Sequence, residues 1–179
     1  DNFRLRIYYD FNKNIKIKHL TMVYLPNFNG RIPIRIHSEC LTGDVFKSKR
    51  CDCNEQLDYS MKYIANKKKG IVFYMPQEGR GIGLINKIKT YKLQEFGIDT
   101  FESNLMLNLP IDNRRYEICE EILLNLGINE IELLTNNPIK INSFKTINVY
   151  QHPVIIRPNK FNEKYINDKK IYFNKIEQV

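Results

Sequence analysis

The stretch IVFYM at residues 71–75, followed by PQEGRGIG at 76–83, decides the predicted fold. A short continuous apolar run is typical of a buried central strand. The glycine-rich segment after it predicts a loop that leads into a helix over about 83–96, which glycine ends. A second helix is predicted before the strand, at 55–69, because apolar residues recur there at helical spacing. Strands that alternate with helices in this way indicate an α/β sheet.

The flanking segments extend this pattern. Strands are predicted at 3–8, 15–24, 32–37, 130–134 and about 146–150, and a third helix at about 114–126. Residues 98–110 are predicted to form a short strand or an irregular connection. We therefore predict a single α/β domain over residues 1–179, with a mixed central sheet flanked by helices, and a loosely packed or mobile tail from about 157. Ligand-type residues follow the strands, so the site is expected at their carboxyl edge.

Composition places limits on the class of protein. The 179 residues are 42% hydrophobic, which suits one domain with a real core. No stretch reaches the apolar length of a membrane span, and the charged amino end, DNFRLRIYYD, lacks the pattern of a secretory leader. The net charge of +8 fits either a generally basic surface or a preference for anions, whether nucleic acid or a polyphosphate.

Three of the four cysteines cluster as C-x10-C-x-C, at Cys40, Cys51 and Cys53. This pattern predicts a zinc ion with three protein ligands and one open position, which is typical of catalytic sites, since structural zinc is normally closed by four ligands. The alternative that these cysteines are core residues stays open. Cys119 is predicted to be a small buried hydrophobe. The uneven clustering favours a metal in a reducing compartment, and so a cytoplasmic or organelle-stroma location.

Three thiolate ligands would reduce the acidity of a bound zinc ion. The site has a net charge near minus one, so the metal is a weaker acid than one held by neutral imidazoles. We therefore expect help from neighbouring cations or acid–base groups. His37, Arg50 and Arg80 are available by residue type.

Three further polar segments could do chemistry. In QEGRGIG at 77–83, backbone N–H groups can approach an anion and Arg80 can fork onto phosphate oxygens, although a plain glycine-rich turn stays possible. This segment is neither a Walker A loop nor G-x-G-x-x-G. Asp112 precedes a predicted helix, and the residues alone favour a helix N-cap. TNNPIK at 135–140 follows a strand and fits a base or phosphate contact or a simple loop.

In this order, the segments closely resemble the GTP cyclohydrolase II family, which begins riboflavin biosynthesis. The matching pieces lie between residues 31 and 141: RIHSECLTGD, SKRCDC, QEGRGIGLINKI with Tyr91, D-x-R-x-Y at 112–116, and LLTNNPIK. The resemblance implies an enzyme that removes formate from C8 of GTP and pyrophosphate from its triphosphate. The product is then 2,5-diamino-6-ribosylamino-4(3H)-pyrimidinone 5′-phosphate. It also implies Zn²⁺ (one per subunit) and Mg²⁺ as cofactors and a homodimer, with neither nucleic acid nor membrane as partner.

The same resemblance assigns roles to individual residues. It makes Cys40, Cys51 and Cys53 the zinc ligands, Asp112 a proton acceptor, Arg114 a nucleophile and Tyr91 a catalytic residue. The implied GTP contacts are Arg35, Ile36, His37, Ser38, Glu39, Gln56, Glu78, Gly79, Arg80, Thr100, Thr135 and Lys140.

The sequence departs from the family pattern at a few positions. Asn54 stands where glycine is usual, Arg115 where the residue is often acidic, and NLPI at 108–111 is an unusual approach to Asp112. Two other functions stay open at this point. One is a basic, zinc-stabilised nucleic-acid-binding module, and the other is a relative that binds GTP without turnover.

Overall fold

The computed structural model describes residues 3–8, 19–24 and 28–177. Its strands are β1 (Phe3–Tyr8), β2 (His19–Tyr24), β3 (Ile32–Ser38), β4 (Gly70–Met75), β5 (Glu130–Leu134) and β6 (Asn148–His152). Its helices are α1 (Leu41–Asp44), α2 (Cys53–Lys67), α3 (Leu84–Glu95), α4 (Thr100–Met106), α5 (Glu117–Asn125), α6 (Pro138–Asn142) and α7 (Glu163–Glu177), with a short 3₁₀ helix at Glu78–Gly81. In these described ranges, every helix is too short or too polar to cross a bilayer.

The chain forms two compact units. The first takes its described residues from Asp1–His37, Glu55–Pro76 and Arg115–Ile155, and the second from Ser38–Asn54, Gln77–Arg114 and Ile156–Val179.

The first unit contains the sheet, in the strand order β1-β2-β4-β3-β5-β6. The pairs β1/β2 and β2/β4 are antiparallel, whereas β3/β5 and β5/β6 are parallel. The predicted α/β class with a mixed central sheet is therefore confirmed. The prediction of a single domain over 1–179 stays a prediction.

The hydrophobic core of the first unit lies on β3 and β4. Every residue from Ile32 to His37 is buried, as expected of a strand with neighbours on both sides and covered faces. Core side chains from α5 pack with these strands and join one cluster: Ile32, Ile34, Ile36, Ile71, Phe73, Met75, Cys119, Ile122 and Leu123. The Cys119 Sγ lies 3.8 Å from the Met75 Sδ, so Cys119 is the small core residue that its position predicted.

The second unit contains the segments that directly follow β3 and β4 along the chain. Residues 38–54 carry α1 and the cysteine cluster, and residues 77–114 carry the 3₁₀ helix, α3 and α4. The tail adds α7, whose Ile166 is buried, together with Asn162 just before it. The tail therefore contains a helix. Its predicted loose packing is not tested by these contacts.

Most predicted elements lie within a few residues of the observed ones. Residues 15–18 of the predicted second strand lie outside the described ranges. The prediction for 98–110 is wrong, because α4 occupies 100–106 and the Asp99 carboxylate caps it by accepting from the Phe101 and Glu102 amides at 2.7 and 2.8 Å. The third helix begins at Glu117 rather than 114, so Asp112 is not its N-cap.

The core of the first unit generates a stability prediction. Replacing Leu123, which is fully buried, by alanine should lower the free energy of unfolding by about 2–5 kcal/mol, because apolar contacts are lost and a cavity remains. Urea denaturation followed by circular dichroism measures this. The matched control is Leu124→Ala, whose side chain on the same helix is 43% exposed and should cost well under half as much. Equal losses for the two variants would contradict this assignment of the core.

Candidate active site

The cysteine cluster is formed by residues on either side of the segment that runs from α1 to the start of α2. Cys40 directly precedes α1, and Cys53 begins α2. The Sγ atoms of Cys40, Cys51 and Cys53 all lie within 4.8 Å of one another, and the Cys40 and Cys51 sulfurs are 3.7 Å apart. Two sulfurs each about 2.3 Å from a tetrahedral zinc would be separated by about 3.8 Å. The spacing therefore fits a shared metal ion.

The backbone at Gly43 lies so close to the cysteine sulfurs that a larger residue would not fit there. A Cβ built on Gly43 would lie 2.9 Å from the Cys51 Sγ and 3.1 Å from the Cys40 Sγ. The α1 turn therefore packs directly against the sulfurs. The Cys40 amide donates to the Asp44 carboxylate at 3.0 Å, which fixes the turn from the other side. Three thiols held this closely suit a thiophilic divalent metal.

The three thiols do not share charge equally. Hydrogen bonds from Cys51 and Cys53, together with the ammonium of Lys87, outweigh burial and lower the pKa of Cys40. The hydrogen bond to Cys40 is the largest of the effects that raise the pKa of Cys51 and of Cys53, and burial adds to it. The three sulfurs are thus close enough for the charge of one to disfavour the charge of the others. A divalent cation supplies the positive charge that three adjacent thiolates require.

Lys87 is a buried cation that the sequence analysis did not select. It lies on α3, only 8% of its surface is exposed, and its Nζ donates to the Cys40 Sγ at 3.2 Å. Burial opposes its charge, but the hydrogen bond to Glu78 and nearby negative groups raise its pKa, so it stays protonated. Lys87 lies four residues before Tyr91, so the two side chains share one face of a helix. This spacing was the sequence signal that could have identified Lys87 as a site residue.

Glu78 occupies the start of the loop after β4. Its Oε2 accepts from the Leu41 amide at 2.7 Å, and its Oε1 accepts from the Gly79 amide and the Lys87 ammonium, each at 2.8 Å. Both carboxylate oxygens thus have protein donors. The observed contacts of Glu78 hold the chain beside Cys40.

Arg80 is held in an unusual conformation. Its φ is 59°, in the left-handed region, which costs about 1–2 kcal/mol for a residue with a side chain. Its guanidinium lies 4.9 Å from the ring centre of Phe101 and 5.8 Å from that of Tyr165. Its buried Nη1 has no hydrogen-bond partner among the described residues. A strained backbone and a buried donor without an acceptor are typical of a ligand contact.

Asp112 and Arg114 form a two-point ion pair. Arg114 donates to Asp112 through its Nε at 2.8 Å and through its Nη2, and its backbone amide adds a contact at 3.1 Å. Burial raises the pKa of Asp112, but the hydrogen bonds and charge of Arg114 outweigh it and hold the pKa below its usual range. The Asn113 amide donates to the Arg80 carbonyl at 2.9 Å, so this segment is joined to the loop after β4.

Tyr91 lies on the same face of α3 as Lys87. The Arg50 guanidinium stands 4.5 Å from its ring centre, and Arg50 also pairs with Glu95 at 3.6 Å. Burial raises the pKa of Tyr91 to about 12, although the charge of Lys87 opposes this. Its hydroxyl therefore keeps its proton at neutral pH and is available as a proton donor.

Most of these groups line one cavity of about 250 Å³ within the second unit, and Asp112 reaches it through its ion pair with Arg114, which lies on the wall. The predicted site residues along its wall are Ser38, Glu39, Cys40, Cys51, Cys53, Glu78, Gly79, Arg80, Tyr91 and Arg114. Burial followed by the charges of Glu78 and Asp44 raises the pKa of Glu39. Thr100 begins α4, but its side chain lies outside the described part of the structure.

The other predicted GTP contacts lie in the first unit, at the carboxyl ends of β3 and β5 and on the helices that follow. Arg35 donates to the Leu134 carbonyl at 2.9 Å and to the Gln56 side chain at 2.6 Å. Lys140 donates to the Ile36 carbonyl at 2.7 Å. These contacts hold the charged side chains in fixed positions.

His37 and Thr135 complete this first-unit group. The ring of His37 stacks on Tyr74 with centres 5.5 Å apart. The Thr135 hydroxyl accepts from the Asn137 amide at 3.0 Å, and the Asn137 side chain in turn caps α6 by accepting from the Ile139 amide. TNNPIK is therefore a capped turn into a short helix. Arg35, His37, Gln56, Thr135 and Lys140 are all buried.

Comparison with known proteins identifies the family. A family described as GTP cyclohydrolase II matches residues 1–151. The chain belongs to the GTP cyclohydrolase II family. Similar proteins named GTP cyclohydrolase-2 come from Acinetobacter baumannii (strain AYE; 49% identical over 144 residues, 79% of this chain and 72% of the relative), Campylobacter fetus subsp. fetus (48% over 156 residues, 86% and 79%) and Picrophilus torridus (48% over 163 residues, 88% and 85%). It is therefore an enzyme with GTP cyclohydrolase activity.

Several cavity residues were not among the predicted site residues of this family member. Arg50 and Lys87 belong to matched segments, but the tail contributes Phe161, Lys164, Tyr165 and Asp168, which follow the matched residues 1–151. The tail is polar and lacks a strong core pattern, so no site residue was predicted there. The structure places one face of α7 along the cavity wall.

The cluster generates a prediction about metal content. Protein loaded with Zn²⁺ and then desalted should retain one ion per chain, and Cys51→Ser should lose it because a serine hydroxyl replaces a thiolate ligand. Elemental analysis measures this. The matched control is Cys119→Ala, which removes a sulfur from the hydrophobic core and should leave the metal content unchanged. Loss of the ion in both variants would argue against the three-cysteine site.

Proposed function

We propose that this chain hydrolyses GTP with release of formate from C8 and of pyrophosphate. The product is then 2,5-diamino-6-ribosylamino-4(3H)-pyrimidinone 5′-phosphate, the first intermediate of riboflavin biosynthesis. The observation that carries this proposal is one cavity lined by a three-cysteine cluster, a protonated tyrosine and three arginines. Opening the imidazole ring and releasing pyrophosphate need a nucleophilic water, a proton donor and a phosphate clamp.

The proposed metal of the cysteine cluster is zinc, held by Cys40, Cys51 and Cys53. When bound, a zinc ion with three protein ligands supplies an open position that makes a water nucleophilic. The 3.7 Å sulfur separation and the fit of Gly43 support this choice. Magnesium is proposed to accompany the triphosphate, as in other phosphoryl-transfer enzymes.

Tyr91 is proposed to donate a proton to a ring nitrogen of the base as the C8–N bond breaks. Its pKa of about 12 keeps the hydroxyl protonated at neutral pH. Arg50, 4.5 Å from the ring centre, restricts where that ring can lie.

Arg80 and Arg114 are proposed to bind the phosphates. Arg80 offers a buried Nη1 that lacks an acceptor among the described residues, and Arg114 lies on the cavity wall with its charge fixed by Asp112. The resemblance makes Arg114 a nucleophile and Asp112 its proton acceptor. The lowered pKa of Asp112 opposes proton transfer from a guanidinium, whose own pKa is above about 12. A clamp is the role better supported by this pair.

The remaining parts of the proposal rest on family membership and residue type. Ser38, Glu39, Gly79 and Thr100 in the second unit and Arg35, Ile36, His37, Gln56, Thr135 and Lys140 in the first are proposed GTP contacts. A homodimer and a cytoplasmic or stromal location are also proposed. A nucleic-acid-binding zinc module would require a fourth protein ligand, whereas the metal-type cluster found among the described residues has three members.

The decisive assay incubates zinc-loaded protein with GTP and Mg²⁺ and measures formate, pyrophosphate and the pyrimidine separately. We expect all three from the wild type and no formate from Cys53→Ser, which removes a proposed metal ligand. Cys119→Ala is the matched control and should keep its activity. Binding of GTP without formate release by the wild type would identify a relative that lacks turnover.

The role of Arg114 has a test of its own. We expect Arg114→Ala to reduce pyrophosphate release by about 100-fold or more, because phosphate charge is no longer stabilised. Arg114→Lys separates the two possible roles, since a clamp keeps part of its rate with any cation whereas a guanidine nucleophile does not. The control is Arg115→Ala, the exposed neighbour in the chain. Full release from Arg114→Ala would remove this residue from the site.

A further inference from the structure

The proposed zinc site needs a counter-charge that the cysteines do not provide. Three thiolates donate strongly and leave the metal a poor Lewis acid. Of the cations expected to help, Arg50 lies over Tyr91 and pairs with Glu95, and Arg80 lies against Phe101 and Tyr165. His37 stacks on Tyr74 in the first unit. These named contacts of Arg50, Arg80 and His37 are with groups other than the cysteine sulfurs.

Lys87 makes the contact that the site requires. An ammonium has three N–H donors. In Lys87 they meet three acceptors: Glu78 Oε1 at 2.8 Å, Thr42 Oγ1 at 2.9 Å and Cys40 Sγ at 3.2 Å. All three directions of the ammonium are used, so its position relative to the sulfur is fixed.

The surroundings of Lys87 explain why this contact persists. Both Lys87 and Glu78 are 8% exposed, and burying a lysine requires a partner. Glu78 is itself held by the Leu41 and Gly79 amides. A simple ion pair would satisfy both charges without a sulfur. An ion pair with Glu78 does not by itself explain why another N–H of Lys87 donates to the Cys40 sulfur.

A charged hydrogen-bond donor to a thiolate alters the electron density at the metal ion that the thiolate binds. A hydrogen bond to sulfur withdraws electron density from the metal–sulfur bond, and such outer contacts tune the properties of metal sites. We propose that Lys87 is a positioning residue that fixes the Cys40 sulfur and weakens its donation, so that a tris-thiolate metal remains acidic enough for hydrolysis. This inference rests on the proposed zinc site.

The test replaces zinc by Co²⁺, whose sulfur-to-metal charge-transfer band reports the donor strength of the thiolates. The variants are Lys87→Met, which keeps an unbranched chain of similar length and removes the donor, and Lys87→Arg, which keeps a charged donor. The matched control is Lys92→Met on the same helix, where the side chain is 70% exposed. Titration with Co²⁺ establishes saturation of each protein, and circular dichroism establishes its fold. Lys87→Gln serves as the second variant if Lys87→Met does not fold.

We expect the band to move to longer wavelength in Lys87→Met, because a thiolate without its hydrogen bond is a stronger donor. Lys87→Arg should return it toward the wild-type position, and Lys92→Met should leave it in place. In the zinc-loaded proteins, kcat for formate release should fall by about 10- to 100-fold in Lys87→Met with little change in KM for GTP.

The possible failures are distinguishable. If the wild type shows no thiolate band with Co²⁺, the proposed metal site fails and the role of Lys87 falls with it. If the wild type shows the band and Lys87→Met has it at the same wavelength, the inference about Lys87 is overturned while the metal site stands. An equal shift in Lys92→Met would also overturn it, because a general loss of charge would then explain the result.

Discussion

Burying an unpaired charge costs more free energy than the net stability of a typical domain. The second unit nevertheless buries Lys87, Glu78 and the Cys40 thiolate side by side. Each stabilises the others only while all three keep their positions. The turn at α1, the loop after β4 and helix α3 are therefore joined at one point. The geometry of the cysteine cluster depends on this junction.

The same rule governs the polar group of the first unit. Arg35 and Lys140 are buried at the carboxyl ends of parallel strands, where carbonyl groups are available as acceptors. Their hydrogen bonds hold cationic side chains in place at an edge that commonly binds ligands in α/β proteins. In the second unit, the strain at Arg80 and the ion pair of Asp112 with Arg114 are also kept in place by their neighbours. Contacts within each unit thus hold its predicted site residues in place.

Sequence reasoning succeeded where a local pattern was strong. The buried run that became β4, the helical spacing of α2 and α3, and the mixed α/β class all followed from periodicity and glycine placement. It failed at α4, a helix of seven residues whose only clear signal was a capping Asp99, and at the start of α5, where Asp112 looked like a cap. A short helix gives too few turns for periodicity to be visible, and one aspartate fits a cap or an ion pair equally well.

The spacing of Cys40, Cys51 and Cys53 and the order of the flanking motifs were enough, by themselves, to predict a three-ligand metal cluster and the GTP cyclohydrolase II family. Both follow from short motifs and their order along the chain. Only the tertiary structure revealed Lys87 beneath Cys40 and brought α7 to the cavity wall. Those contacts join residues that are 47 or more positions apart in the chain. The sequence also does not distinguish a buried lysine from a lysine on the solvent-exposed face of a helix.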